Sequence, residues 1–384
     1  MFSFSLAQLN LKNLRLLPLN DSGCSHCLGA IGERGMCSCG KNRSAATRNT
    51  VRNIICYISD DDFFKISFRL DPQLRQTQNN VIGETYEIYL YRYLIPELLA
   101  HTPCFLKRKD SLEIDLQTLA ELKELYTDPI LLYIDRVDLE VCNLRCVQHL
   151  QLERFPVGSI TFQTLIIGTN GEYNVKRVLR LVFMIVWTLM VMEEACFLHG
   201  DLHLNNIMVR PLPRPQTIYF CMNANKNIYA RMENVTEIPV LFDFDRSVWG
   251  GNGQPNPSLR NYTVHMPCYR KFYGNDFRFS PRRDLLYFLH GMMISMPKIR
   301  LDVLEKALNS TTRMFPHQLL EYNYSKSPDW SDPYPIKILC DLCAAGPSET
   351  GIQVINNGSQ PMNTDDEIVY SLLNPKNVII PFWE

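Results

Sequence analysis

The sequence has almost no net charge: Lys+Arg 39 stands against Asp+Glu 40, a formal balance of −1. No global field therefore draws the chain to nucleic acid or to an anionic membrane surface. Charged residues are only 21%, too few for a chain held open by self-repulsion, while 46% hydrophobic residues can fill a large core. Long apolar runs are missing as well. The longest, Leu181 to Met192, is interrupted by Thr188 and is too short to cross roughly 30 Å of hydrocarbon. Met1-Phe2-Ser3-Phe4 lacks the basic start of a secretory leader, and polar Gln8 and Asn10 interrupt the next few residues. Internal repeats and low-complexity tracts are absent too. These absences predict a soluble, cytoplasmic protein without a transmembrane segment. The 13 cysteines, an odd count spread along the chain, fit free thiols in a reducing compartment.

What is present divides the 384 residues into three parts. Residues 1–49 are rich in Ser, Asn, Gly and Cys and carry no long hydrophobic periodicity. Residues 50–157 are strand-rich. Val51 to Ile58 and Phe63 to Phe68 flank the acidic turn Asp60-Asp61-Asp62, which predicts a hairpin. Glu84 to Ile95 has Ile88, Tyr91 and Ile95 at helical spacing, and Pro96 is expected to end or kink that helix. A further strand is expected at His149 to Leu152. Residues 158–384 open a helix-rich part, with a long apolar helix from Val175 to Phe197 and another from Asp284 to Met293. Between them, Pro211, Pro213 and Pro215 read as a loop, and Glu237 to Phe242 as a short buried strand. Strands followed by helices predict an α+β chain with two lobes.

The chemistry concentrates in His199-Gly200-Asp201-Leu202-His203-Leu204-Asn205-Asn206, after the long helix, and in Leu241-Phe242-Asp243-Phe244-Asp245. Phosphoryl transfer uses such groups. One carboxylate orients or accepts the proton of the attacking hydroxyl, while an amide oxygen and a second carboxylate hold Mg²⁺. A strand lysine, Lys65, lies upstream; buried there it needs an anionic partner, and Glu84 and Glu87 in the next helix are the candidates.

His199 to Asn206 resembles the catalytic loop of the protein-kinase-like superfamily, and Asp243-Phe244-Asp245-Arg246 resembles its metal-binding D-F-G with Asp for Gly. Over about residues 50–300 the pattern is closest to divergent Ser/Thr kinases of large eukaryotic DNA viruses. The resemblance implies a bilobal kinase-like fold, with a β-rich N-lobe at 50–157 and a mainly helical C-lobe at 158–384. It implies ATP and Mg²⁺ as cofactors, a protein as substrate, and host cytoplasm or virion as the compartment. Asp201 would be the catalytic base, Asn206 and Asp243 the Mg²⁺ ligands, and Lys65 the phosphate-binding lysine paired with Glu87. Backbone groups from Glu153 to Phe155 would meet adenine, and the Asp284 carboxylate would support the catalytic-loop backbone. His203 is given no catalytic role. Gly200 stands where many protein kinases have a phosphate-sensing arginine, and no A-P-E motif comes after Asp243. The nearest glycine-rich candidate, Gly40 to Ala46, is degenerate.

Two rival readings share these residues. His199-Gly200-Asp201-Leu202-His203 also occurs in aminoglycoside and choline phosphotransferases, whose acceptor is a small hydroxyl compound. A pseudokinase scaffold is the other. Cys24, Cys27, Cys37 and Cys39 could hold Zn²⁺ through four thiolates in the N-terminal part, with His26 as a spare ligand. Cys340 and Cys343 form a lone C-x-x-C, read as a pair in the core of an element rather than as a redox site.

Overall fold

The structure, a computed structural model, describes residues 53–57, 62–70, 87–115, 144–153, 155–168, 174–244, 247–249, 283–296, 334–356, 361 and 363–373. Helix and sheet are mixed throughout. The described residues cluster into two compact units, one drawn from residues up to Arg92 and from Leu106–Val157, the other from Tyr93–Phe105 and from Gly158 onward.

The first unit is built on a four-stranded antiparallel sheet in the order β1-β2-β4-β3. Its strands are β1 (Asn53–Tyr57), β2 (Asp62–Leu70), β3 (Arg108–Asp115) and β4 (Leu144–Glu153). The β1 and β2 strands form the hairpin expected from the acidic turn, pairing Ile55 with Lys65. On its other side Lys65 faces Leu150 of β4, so it occupies an interior strand rather than an edge. The β3 strand was not anticipated, because Arg-Lys-Asp-Ser-Leu-Glu-Ile-Asp reads as polar. It is nonetheless laddered to β4 from Arg108 to Asp115.

Residues 87–93 are helical, and Leu94 turns the chain into a second short helix, Ile95–Leu98. Pro96 lies in the first turn of that helix, where its missing N–H has no helical acceptor to lose. The helical stretch is therefore interrupted just before the proline and restarts with it, in keeping with the expected end or kink, and the chain passes to the second unit nearby. Residues 93–105, expected with the first part, belong with the second.

The second unit is organised around the Val175–Glu194 helix. Asn174 caps it by accepting the Arg177 N–H at 3.1 Å. Nearly every side chain from Val178 to Met192 is buried. It packs on the Tyr334–Ala344 helix and on a sheet, with Phe183 and Trp187 meeting Phe220 at ring distances of 5.2 and 5.0 Å. That sheet corrects the expectation of a mainly helical part. It has five strands in the order β10-β8-β7-β11, with β5 (Ile160–Thr161) also on β7. Its centre is a long hairpin, β7 (Ile207–Asn223) and β8 (Ile228–Leu241); β10 (Gln353–Asn356) and β11 (Glu367–Tyr370) flank it. Asn227, at φ 52°, supplies the left-handed residue of the hairpin turn.

The three prolines read as a loop lie inside β7. The ladder pairs Pro211 with Glu237 and resumes at Gln216 with Val235, so the residues between are bulged out of register. Pro213 to Pro215 are exposed there, where residues without an N–H cost the sheet no hydrogen bond. Likewise, the short strand expected at Glu237 to Phe242 is the end of β8. The Arg283–Ser295 helix matches the expected span closely. Cys340 and Cys343 lie on the Tyr334–Ala344 helix, and burial pushes the Cys340 thiol up to about 11 and that of Cys343 higher still. Such thiols stay protonated and unreactive. No helix among the described residues is long and apolar enough to cross a membrane.

Candidate active site

Two short strands lead into the chemical residues of the second unit. The β6 strand (Phe197–Leu198) pairs with β9 (Val248–Trp249), and delivers the chain to His199. From there the loop runs to a single 3₁₀ turn, Leu204–Asn206, and enters β7, where Ile207 pairs with Leu241 at the end of β8. The 199–206 loop and the 242–244 segment are thereby neighbours by strand pairing. The Phe242 N–H donates to the Asn206 carbonyl at 3.3 Å, and the Leu241 N–H donates to the Cys104 carbonyl at 2.8 Å. The second bond explains why residues 93–105 join this unit.

His199 stitches the two segments. It is fully buried, and its Nε2–H donates to the Phe242 carbonyl at 3.0 Å. That tautomer leaves Nδ1 to accept the Asp201 N–H at 3.4 Å. Burial pushes its pKa down to about 4, outweighing the upward pull of the Phe242 bond and of the Asp243 charge. The imidazole is thus neutral at ordinary pH, which the two bonds require. Its carbonyl accepts the Ser247 hydroxyl at 2.9 Å. The ring also packs on Phe244, which is fully buried against Phe105 and Phe197 as well. Phe244 is an apolar anchor that fixes the backbone beside Asp243.

Asp284, in the first turn of the Arg283–Ser295 helix, accepts two backbone N–H groups: His199 at 2.6 Å and Gly200 at 3.0 Å. Those two donors, and the positive end of the helix, lie against a carboxylate with 2% exposure. Gly200, at φ 81°, takes the left-handed turn that presents both groups. The same helix comes close at Gly291, where an added Cβ would lie 3.1 Å from Leu204.

Asp201 and Asn206 are both buried, and the Asn206 amide N–H donates to the Asp201 carbonyl at 2.9 Å. That bond closes the loop on itself through the amide nitrogen of Asn206 and does not engage its amide oxygen. Asp243 is half-buried and sits at φ 69°, a strained conformation for a residue with a Cβ. An amide oxygen and a carboxylate are hard donors of the kind Mg²⁺ takes, in the small number it usually draws from protein. Among the described residues no group of three His, Cys, Asp or Glu side chains forms a metal cluster.

In the first unit, Lys65 and Glu87 meet at 2.7 Å with side chains 9% and 3% exposed. Glu84 lies outside the described residues, as do Asp245, Arg246, Gly40 to Ala46 and the four cysteines 24, 27, 37 and 39. Glu153 is occupied structurally. Its N–H donates to the Lys107 carbonyl at 3.0 Å, and its carboxylate accepts the Lys107 N–H at 3.0 Å. Those two bonds engage its N–H and its carboxylate within the sheet; Phe155 is half-buried just past the strand. Reading the sequence alone missed the roles of His199, Ser247 and Phe244. The first had a signal in its place two residues before Asp201; the others act through contacts made far along the chain.

No family model matches the sequence, and no curated protein matches it. Among solved structures, the crystal structure of a kinase domain is similar over 52% of this chain, at 11% identity and a TM-score of 0.27. The likeness spans about half of that chain, 48%.

Proposed function

We propose that the protein is a kinase-type phosphotransferase that moves the γ-phosphoryl of ATP, with Mg²⁺, to a Ser or Thr hydroxyl of a protein. The observation that carries this reading is the closed loop of the second unit. Asn206 bonds the Asp201 carbonyl, His199 ties Asp201 to Phe242, and Asp284 holds the backbone before Asp201. Asp201 and Asn206 thereby share one hydrogen-bonded frame, and Asp243 is the next residue after its Phe242 anchor.

In this reading the Asp201 carboxylate aligns the acceptor hydroxyl and takes its proton as the oxygen bonds to phosphorus and the bond to ADP breaks. Asn206 and Asp243 would hold the Mg²⁺ ion, which supplies charge neutralisation on the phosphates when bound. In the first unit Lys65, oriented by Glu87, is the cation for phosphate oxygens. Catalysis is then chiefly positioning and electrostatic preorganisation.

The test is Mg²⁺-dependent ATP binding and phosphate transfer by the purified chain. Asp201→Asn should lower turnover about 10²–10⁴-fold while nucleotide binding persists. Asp243→Asn should abolish the Mg²⁺ dependence of binding. Transfer to small hydroxyl compounds and not to protein would replace the acceptor class in this reading. Binding without transfer would make the chain a pseudokinase, and no nucleotide binding would refute the proposal.

A further inference from the structure

Pro211, Pro213 and Pro215 alternate along β7 where its ladder breaks. Pro211 still faces Glu237, and pairing resumes at Gln216 with Val235, so residues 212–215 bulge out opposite Thr236 alone. The other neighbours of β7 stay clear of them: β5 pairs at Met208 and Val209, and β11 at 217–220. Pro213, Arg214 and Pro215 are exposed, and Leu212 is half-buried. A single proline suffices to keep a strand from stray pairing. Three in alternation exceed that need.

The alternation restricts the backbone throughout. Each proline holds φ near about −65°. Arg210, Leu212 and Arg214, each standing before a proline, are biased away from helical backbone toward extended and polyproline conformations. Every residue from 210 to 215 is under one constraint or the other, so the segment has little backbone freedom left to lose on binding. Side-chain bonds fasten it as well. Arg214 donates to the Asp365 carbonyl at 2.9 Å and meets the Asp366 carboxylate at 3.2 Å, in the turn before β11. Just past the bulge, the Thr217 N–H donates to the Asp366 carbonyl at 2.8 Å.

The exposed surface of the bulge dictates its complement. Residues without an N–H cannot add a strand to another sheet; they offer ring faces and carbonyl acceptors. Flat apolar rings that also carry a donor, the tyrosine hydroxyl and the tryptophan indole N–H, match both. The Arg214 charge is already met by two acids, and the Asp365 side chain is 93% exposed, so the local surplus is negative. We propose that residues 212–215 are a docking element for a partner protein with an aromatic-lined, polyproline-binding groove rimmed by basic side chains. This surface is distinct from the 199–206 loop and stands independently of the phosphotransferase reading.

The test titrates the full chain into purified ¹⁵N-labelled SH3, WW and EVH1 domains and follows the indole N–H signals of their grooves. At least one domain should respond, and an excess of a proline-rich peptide should reverse the shift. The full chain carrying both Pro213→Ala and Pro215→Ala should bind that domain at least about tenfold more weakly. Asp365→Asn should weaken it by a smaller factor, about twofold to threefold, and only at low salt. Melting curves establish that the variants are folded; should the double variant fail to fold, Pro215→Ala alone decides. If none of the three domains responds, the proposal is overturned, and the prolines serve only to keep β7 from stray pairing. If the double variant binds as the parent does, the groove is reading another of the 23 prolines, and the assignment to this bulge falls.

Discussion

Each unit of the protein buries charge beside its candidate chemistry, and the two do so differently. In the first, Lys65 and Glu87 join side chain to side chain at 2.7 Å. In the second, Asp284 joins side chain to backbone, accepting the His199 and Gly200 N–H groups, and His199 bridges the Asp201 N–H to the Phe242 carbonyl. The first arrangement positions a side-chain cation; the second positions backbone, and through it the side chains of Asp201 and Asn206. A direct pair should therefore be replaceable by apolar groups of the same size. A backbone clamp should not, because the N–H groups it serves remain after the carboxylate is gone.

The largest effect separating the two is expected at the ion pair. Lys65→Met leaves the Glu87 carboxylate buried without its cation and should destabilise the full chain by about 3–5 kcal/mol in urea unfolding. Adding Glu87→Leu removes the stranded charge and should restore most of that loss. If Lys65→Met alone costs under about 1 kcal/mol, the pair is as weakly coupled as a surface salt bridge.

The pH response should distinguish the regions next. The folded state holds His199 at about 4, below its unfolded value of 6.5, so the unfolded chain binds the extra proton first. The stability that neutral His199 confers is therefore complete above about pH 6.5 and declines as pH falls toward 4. The shift corresponds to at most about 3 kcal/mol over that window. Protonation would also put an N–H on Nδ1, facing the Asp201 N–H that it now accepts. His199→Gln should flatten this part of the urea-midpoint profile. An unchanged slope in the variant would show that other groups carry the acid response.

A smaller and more local effect is expected from Asp284→Asn. The amide has a single oxygen for two N–H donors, so one of the His199 and Gly200 amides loses its acceptor, at about 2 kcal/mol. Hydrogen exchange should show the change as faster exchange at residues 199 and 200. In Lys65→Met those amides should keep their protection unless the whole chain opens. Uniform acceleration in Asp284→Asn would mean that its carboxylate secures the unit as a whole rather than the loop.

These contrasts track the parts of the molecule that are legible in its sequence. Asp201, Asn206 and the loop between them can be read because they lie together in eight residues. The β1–β2 hairpin can be read from its acidic turn and β-branched flanks. The β7–β8 hairpin could not, since Pro211, Pro213 and Pro215 have the local signature of a loop. What accommodates them is an out-of-register bulge opposite Val235 to Glu237, which only the pairing reveals. The β3 strand was hidden by its charged composition. Phe105 and Cys104 were hidden by distance, since their partner Leu241 is far along the chain. His199 belongs to the same class: its place in the motif is visible, but its tautomer depends on Phe242, and its backbone on Asp284.

The finest test of the comparison uses backbone strain at two of the four non-glycine residues of the second unit described with positive φ, Cys196 and Asp243, whose surroundings differ. Cys196, at φ 54°, comes after the last turn of the Val175–Glu194 helix, where a left-handed glycine commonly ends a helix. Asp243, at φ 69°, carries the carboxylate assigned to Mg²⁺. Relieving either strain with glycine should raise stability by up to about 1 kcal/mol, partly offset by the freedom glycine gives the unfolded chain. Cys196→Gly should do so with phosphate transfer intact, because its exposed thiol serves no bond in the loop. Asp243→Gly should gain similarly while losing Mg²⁺-dependent nucleotide binding, so stability and function move in opposite directions at one residue only. Were Asp243→Gly instead less stable than the parent, the carboxylate would be holding the segment together, and its strained backbone would be a structural requirement rather than a concession to the metal.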